Sequence, residues 1–167
     1  MSEAALEMRS MIELEETDDR ELAAMILTNP EIWERIAEDG IDREKFEAEQ
    51  IPEDWRLVAV KTPHGTAGLY MLHETDPGRW QIHANILEAF RGRYAAESGA
   101  AILEWMDEHL PESARLAFAV VPVIYPDVMA FTLRYGFKDV GALGVRFRKN
   151  GKSAEQRVLM ILREDWV

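Results

Sequence analysis

Cysteine is absent from the 167 residues, which excludes a disulfide framework, an iron–sulfur cluster, a thiolate zinc site and a cysteine nucleophile. Long hydrophobic runs are missing too. The longest apolar stretch, Leu116 to Tyr125, falls far short of the roughly 20 residues that cross a bilayer. Glu3, Glu7 and Glu13 interrupt the segment where the apolar part of a secretion signal would lie. These absences predict a soluble, cytoplasmic protein with no membrane partner. No Gly-x-Ser-x-Gly elbow occurs, so serine-nucleophile chemistry lacks a site. His64, His73, His83 and His109 are not spaced with one another or with carboxylates as metal ligands usually are, and no metal is expected.

A basic excess is wanting as well. Lysine and arginine number 19 against 31 aspartates and glutamates. Residues 1–55 hold 18 of the acidic side chains and 5 of the basic ones, so they account for the whole net charge of −12 and the rest of the chain is nearly neutral. Nucleic-acid backbones demand clustered lysine and arginine, and no such partner is expected. The acidic first third is either a solvated surface or a rim that attracts a cationic partner. With 47% hydrophobic and 30% charged residues, the chain is the size of one compact domain spanning 1–167.

Alternation and turn residues supply a map. Met11-Ile12-Glu13-Leu14-Glu15 alternates as a half-exposed strand does, and Thr17-Asp18-Asp19 offers cap chemistry for a helix running to about Thr28. Pro30 suits the first turn of a second helix, with Gly40 after its end. Residues 41–54 are irregular or briefly helical. Leu57 to Lys61, Thr66 to Glu74 and Arg79 to Leu87, separated by Pro63-His64-Gly65 and Asp76-Pro77-Gly78, predict a three-stranded antiparallel meander. A helix follows from about Ala95 to Leu110, then an apolar run from Arg115 to Val121 that reads as a central strand covered on both faces. Pro126 to Tyr135 is a short helix ending in Gly136, and Lys138 to Arg148 with Gln156 to Arg163 closes the chain as a hairpin turning at Asn150-Gly151. Strand, helix and strand over 79–121 form a parallel crossover inside an otherwise antiparallel sheet. The predicted class is therefore α/β (α+β), with a mixed, mostly antiparallel sheet and flanking helices.

The junction after the meander reads Ile86-Leu87-Glu88-Ala89-Phe90-Arg91-Gly92-Arg93-Tyr94-Ala95-Ala96. A strand that passes through an Arg-Gly turn into a helix start offers unpaired N–H groups and the positive end of a helix dipole, which suits a pyrophosphate; Arg91 and Arg93 add charge. A capped helix with two solvated arginines is the plainer alternative. His83 shares a strand face with Gln81 and Asn85 and has the reference pKa of a general base, or it is a histidine bonded within the sheet.

The element order, the Arg-Gly-x-x-x-Ala turn at 91–96 and the Gly136-Phe137 pair after the next helix resemble the GCN5-related N-acetyltransferase family. The stretch Ile82-His83-Ala84-Asn85-Ile86-Leu87 is most similar to small members encoded by bacteriophages, which would place the protein in a host cytoplasm. The resemblance implies acetyl-CoA as acyl donor, held by Ile86, Leu87, Arg91, Gly92, Arg93, Tyr94, Ala95 and Ala96, with transfer of acetyl to an amine. It implies that Tyr94 stands where the family has glycine, so that a Cβ and a ring meet the phosphate, and that Thr132 stands where the family has the tyrosine that protonates the leaving thiolate. Either Tyr125 or Tyr135 substitutes, or water does, or no transfer occurs. In this family the first two helices border the acceptor site, and here they carry the acidic excess, so a polyamine, an aminoglycoside-like amine or a basic protein is the implied acceptor. The alternative is a catalytically inactive binding module of the same fold, such as a phage assembly or host-takeover factor; a homodimer is open under both.

Overall fold

The computed structural model describes residues 11–167; Glu3 and Glu7, weighed above against a secretion signal, lie outside the described residues. Short-range signals start most elements. Strand β1 (Glu13–Thr17) leads to Asp19, whose carboxylate accepts the Leu22 N–H at 3.0 Å and opens helix α1 (Arg20–Leu27). Asn29 does the same for helix α2 (Pro30–Ile36), with Pro30 in the first turn, where its missing N–H leaves no partner wanting. Two 3-10 turns, Arg43–Lys45 and Ala48–Gln50, occupy the polar segment that follows. The meander consists of β2 (Arg56–Thr62), β3 (Gly65–Asp76) and β4 (Arg79–Ile86). Next come helix α3 (Arg93–His109), β5 (Leu116–Pro122), helix α4 (Pro126–Arg134), β6 (Lys138–Lys149) and β7 (Lys152–Leu162). Asn150 and Gly151 both have positive φ, 54° and 73°, the turn whose twist suits a two-residue hairpin.

The sheet order is β1-β2-β3-β4-β5-β7-β6, and β4 with β5 is its parallel pair, as the crossover required. Among the boundaries that differ from the sequence reading are two strand starts. Strand β1 sits two residues later than the alternation at Met11–Glu15, because its place is set by pairing with β2 from Glu13↔Lys61 to Thr17↔Leu57. Strand β7 begins at Lys152, not Gln156, because pairing resumes directly from the turn at Lys149↔Lys152.

Both faces of the meander are buried. Val58, Val60, Tyr70, Leu72, Ile82 and Ile86 pack toward α3, while Leu57, Leu69 and Met71 pack on the opposite face with Ala23, Ile26 and Leu27 of α1 and Ile32 of α2. The strands therefore present two surfaces to two layers of helix, and what lies between the layers is reached only where the sheet opens. No helix among the described residues is long and apolar enough to cross a membrane.

Candidate active site

Strands β4 and β5 stay together over three pairs, Arg79↔Leu116, Trp80↔Ala117 and Gln81↔Phe118, and then diverge. The gap opens a cavity of about 520 Å³. The sequence reading has β5 covered on both faces; Phe118, Ala119 and Val120 are only half-buried, because the last two wall the cavity once β4 has left. On the other side Ala84 is exposed between buried Ile82 and Ile86. The Leu87 N–H donates to Ala67 O in β3 at 2.9 Å. Backbone groups alternate sides along a strand, so Ala84 and Ile86 aim their N–H and C=O groups away from β3, into the gap. The Ile86 carbonyl there accepts from Arg91 Nε at 3.3 Å.

One end of the cavity is the start of α3. Gly92 turns the chain there at φ +93°, a conformation that side-chain-bearing residues rarely adopt. No side chain caps the helix, and its first internal bond runs from Ala96 N–H to Gly92 O at 2.9 Å. The N–H groups of Arg93, Tyr94 and Ala95 therefore stand at the positive end of a 17-residue dipole. Arg91, Gly92, Ala95 and Ala96 line the cavity beside them. Of the other expected residues, Leu87 packs into the core under α1, and Arg93 turns along the helix to Glu97 at 2.9 Å. The Tyr94 ring lies against Phe90 and His64, with centroids 6.1 and 6.4 Å away, and so is turned aside from the cavity.

His83 lines the cavity and is bonded within the sheet at the same time. Its Nε2 is 3.1 Å from His73 Nε2. The two rings lie within 10° of one plane with centroids 5.3 Å apart, a separation longer than the N–N distance by about two ring radii, so the nitrogens meet head-on in a straight hydrogen bond. Trp55 lies flat over His73 at 4.0 Å and extends over His83 at 5.3 Å. Burial, reinforced by His73, lowers the His83 pKa to about 4; burial also lowers that of His73, against the pull of Asp54. His83 is thus neutral at pH 7.

Tyr125 and Tyr135 reach the same cavity from the two ends of α4. Each phenol donates to a backbone carbonyl, Tyr125 to Glu34 O at 2.8 Å and Tyr135 to Ala96 O at 2.6 Å, and burial raises both pKa values. Both are protonated at neutral pH. Thr132, also on the wall, spends its hydroxyl on Val128 O one turn back. From α2 the cavity receives Ile32, Ile36 and Arg35, whose guanidinium pairs with Asp127 of α4. The acidic residues of α2, Glu31 and Glu34, are exposed. Glu31 meets the carboxyl of Glu88, which raises its pKa, while Arg91 pulls the other way.

Trp55, His73 and Arg35 were not singled out from the sequence. For His73 the turn by itself misleads: a hairpin closing at Pro77-Gly78 on Asp76↔Arg79 would set His73 opposite Ile82, with His83 on the other face. It is the irregularity between Glu74 and Asp76 that shifts the register to His73↔Gln81 and Met71↔His83 and makes the two histidines diagonal neighbours on one face. Trp55 arrives from an irregular segment, and Arg35 acts through a partner 92 positions away; neither carried a local mark.

No family model and no curated protein matches the chain. Solved structures do. A spermidine N-acetyltransferase from Vibrio cholerae, in complex with CoA and spermine, superposes with a TM-score of 0.76 at 17% identity, covering 95% of this chain and 99% of that one. The dodecameric form of the Vibrio cholerae enzyme, in an intermediate state, matches with a TM-score of 0.74 at 16% identity over 95% and 98% of the two chains. A structure assigned as a phosphinothricin N-acetyltransferase matches with 0.69 at 17% identity over 91% and 98%. The mixed, mostly antiparallel sheet with its flanking helices is accordingly the GCN5-related N-acetyltransferase fold of these neighbours, shared over nearly the whole chain.

Proposed function

We propose that this protein transfers the acetyl group of acetyl-CoA to an amine of a cationic small molecule or protein. The observation that carries the reading is the split between β4 and β5 with an uncapped helix start at its end. The N–H groups of Arg93, Tyr94 and Ala95, with the Arg91 side chain, suit the pyrophosphate, and the inward N–H groups of Ala84 and Ile86 suit the pantetheine arm and the thioester carbonyl. Bound there, acetyl-CoA supplies an acetyl group on a good leaving thiolate. His83, neutral at physiological pH, takes a proton from the acceptor ammonium. Tyr125 or Tyr135 supplies the proton for the departing sulfur, exchanging its carbonyl acceptor for it. Glu31 and Glu88, beside Arg91, bring negative charge to the mouth, and the spermine bound by a structure of the same fold supports a polyamine as the acceptor class. The resemblance of Ile82–Leu87 to small phage-encoded members supports a host cytoplasm as the place of the work.

A second reading, a binding module that keeps the fold without catalysis, is favoured by Thr132 in the acid position and by the carbonyl bonds that occupy both phenols. Calorimetry with acetyl-CoA, followed by thiol release with spermine, spermidine and simple alkylamines, separates the two. Stoichiometric heat with turnover is expected. Heat without turnover favours the module, and folded protein giving no heat at millimolar acetyl-CoA overturns the acetyltransferase.

A further inference from the structure

We propose that His73 is the second member of a proton relay, passing the acceptor's proton from His83 on the cavity wall out to solvent beside Asp54. The inference rests on the acetyltransferase reading, and it adds a residue that neither the sequence motifs nor the fold assigns.

Three features carry it. First, the two imidazoles face each other Nε2 to Nε2 at 3.1 Å in nearly one plane. A straight N–H···N bond of this kind is the arrangement in which a proton crosses with the least motion of the heavy atoms. Second, the pair has an inside and an outside. His83 lines the cavity, while His73 sits half-buried two residues further back toward the turn, where Asp54 is exposed and acts on it. Third, Trp55 lies flat over both rings and covers one face of the bond between them, and the group that His83 Nε2 meets is His73 Nε2. A stack that served packing alone would have no need of a member on the cavity wall.

The proton count closes. In the resting state His83 carries its proton on Nε2 and donates it to the bare Nε2 of His73, which carries its own proton on Nδ1. The acceptor's ammonium N–H bond breaks and a bond forms to His83 Nδ1; the Nε2 proton passes to His73 Nε2; the His73 Nδ1 proton passes to water beside Asp54. One proton enters, one leaves, and neither ring ends charged. The amine nitrogen keeps the electron pair with which it attacks the thioester. When the cavity empties, solvent removes the proton from His83 Nδ1 and returns one to His73 Nδ1, and the tautomers are restored. Asp54 is the charged group acting on His73, and His73 the titratable group acting on His83. The arrangement also answers a difficulty. His83 by itself is too weak a base to hold a proton taken from an ammonium group, and the relay lets it pass the proton on without becoming charged.

The test uses the intact protein. In ¹⁵N-imidazole NMR without ligands, one Nε2 proton coupled to both rings is expected, and two uncoupled rings would overturn the relay. With acetyl-CoA and spermine in mixtures of light and heavy water, the rate should depend on deuterium fraction along a curve, as two moving protons require. His73→Gln should straighten that curve and slow turnover by about tenfold or more, with the heat of acetyl-CoA binding unchanged. Full rate and an unaltered curve in His73→Gln, alongside a slow His83→Gln, would show that His83 acts alone; the relay would fall and the acetyltransferase stand. Acetyl-CoA binding without turnover of any amine overturns the relay and favours the binding module. No acetyl-CoA heat in the wild type overturns both readings.

Discussion

Arg91 and Arg93 are two positions apart and do different things. The first faces the cavity and braces Ile86 O; the second is spent on Glu97 along the helix surface. Arg91→Ala is expected to weaken acetyl-CoA about tenfold, the worth of a charge-assisted contact, and Arg93→Ala to change it little, both read by calorimetry. His83 sets a pH dependence whose sign follows from its shift. Its folded pKa, about 4, lies below the unbound reference of 6.5, so between those values the unfolded chain binds more protons and stability rises with pH. The contribution is whole above about 6.5 and is lost as pH falls toward 4. Melting temperatures measured from pH 7 down to 4 should fall, and the fall across that window should be smaller in His83→Gln. Glu16, Asp127 and Asp139, held low by Arg56, Arg35 and Arg157, add losses of the same sign at still lower pH.

Helix α2 and the segment after it tie the two wings of the split sheet together at the level of elements. Arg35 pairs with Asp127, Tyr125 donates to Glu34 O, and Lys149 Nζ donates to Ala37 O at 2.9 Å. Asp39 accepts the N–H groups of Asn150 and Gly151 at 3.0 and 2.8 Å, clasping the tip of the β6–β7 hairpin. Asp39→Ala should quicken hydrogen exchange at Asn150 and Gly151 while leaving the amides of β2 and β3 protected as before. A further close contact joins α3 to the end of α4. A Cβ on Gly99 would run into the ring of Tyr135, at atoms Cε2 and Cζ. Gly99→Ala should therefore cost about 1–3 kcal/mol in the denaturant midpoint and draw the phenol off Ala96 O, so that a slower reaction at unchanged acetyl-CoA affinity would assign Tyr135 rather than Tyr125 as the acid.

For the molecule as a whole, the charge asymmetry of the chain becomes an acidic surface, not an acidic cavity. The first helices give the cavity wall Ile32, Ile36 and a paired Arg35, while Glu31 and Glu34 of α2 are exposed and do not line it. A field of this kind acts on encounter more than on the bound state. Association with spermine or a basic protein should slow as salt shortens the Debye length from about 10 Å at 0.1 M toward 3 Å at 1 M. Replacing Glu44, Glu49 and Glu53 with glutamine should slow association and leave dissociation nearly unchanged, measured by stopped flow. An association rate indifferent to both would reduce the acidic third to a solvated surface.

Much of the fold was legible because its signals are local. Asp19 and Asn29 cap helices within three residues of themselves, Asn150-Gly151 turns a hairpin alone, and the 79–121 crossover needs only the order of its parts. The helix start behind the Arg91-Gly92 turn was legible for the same reason. Tertiary structure decided what the site does with these pieces. Ile82–Ile86 would read as apolar strand whether or not β5 stayed beside it; the divergence after Gln81↔Phe118 makes it a cavity wall. That the Tyr94 ring meets His64 and that Trp55 covers two histidines depend on contacts between segments far apart in the chain. A cap or turn acts within a few residues and leaves its mark in sequence. A cavity is the space left between elements, and no short stretch of chain encodes it.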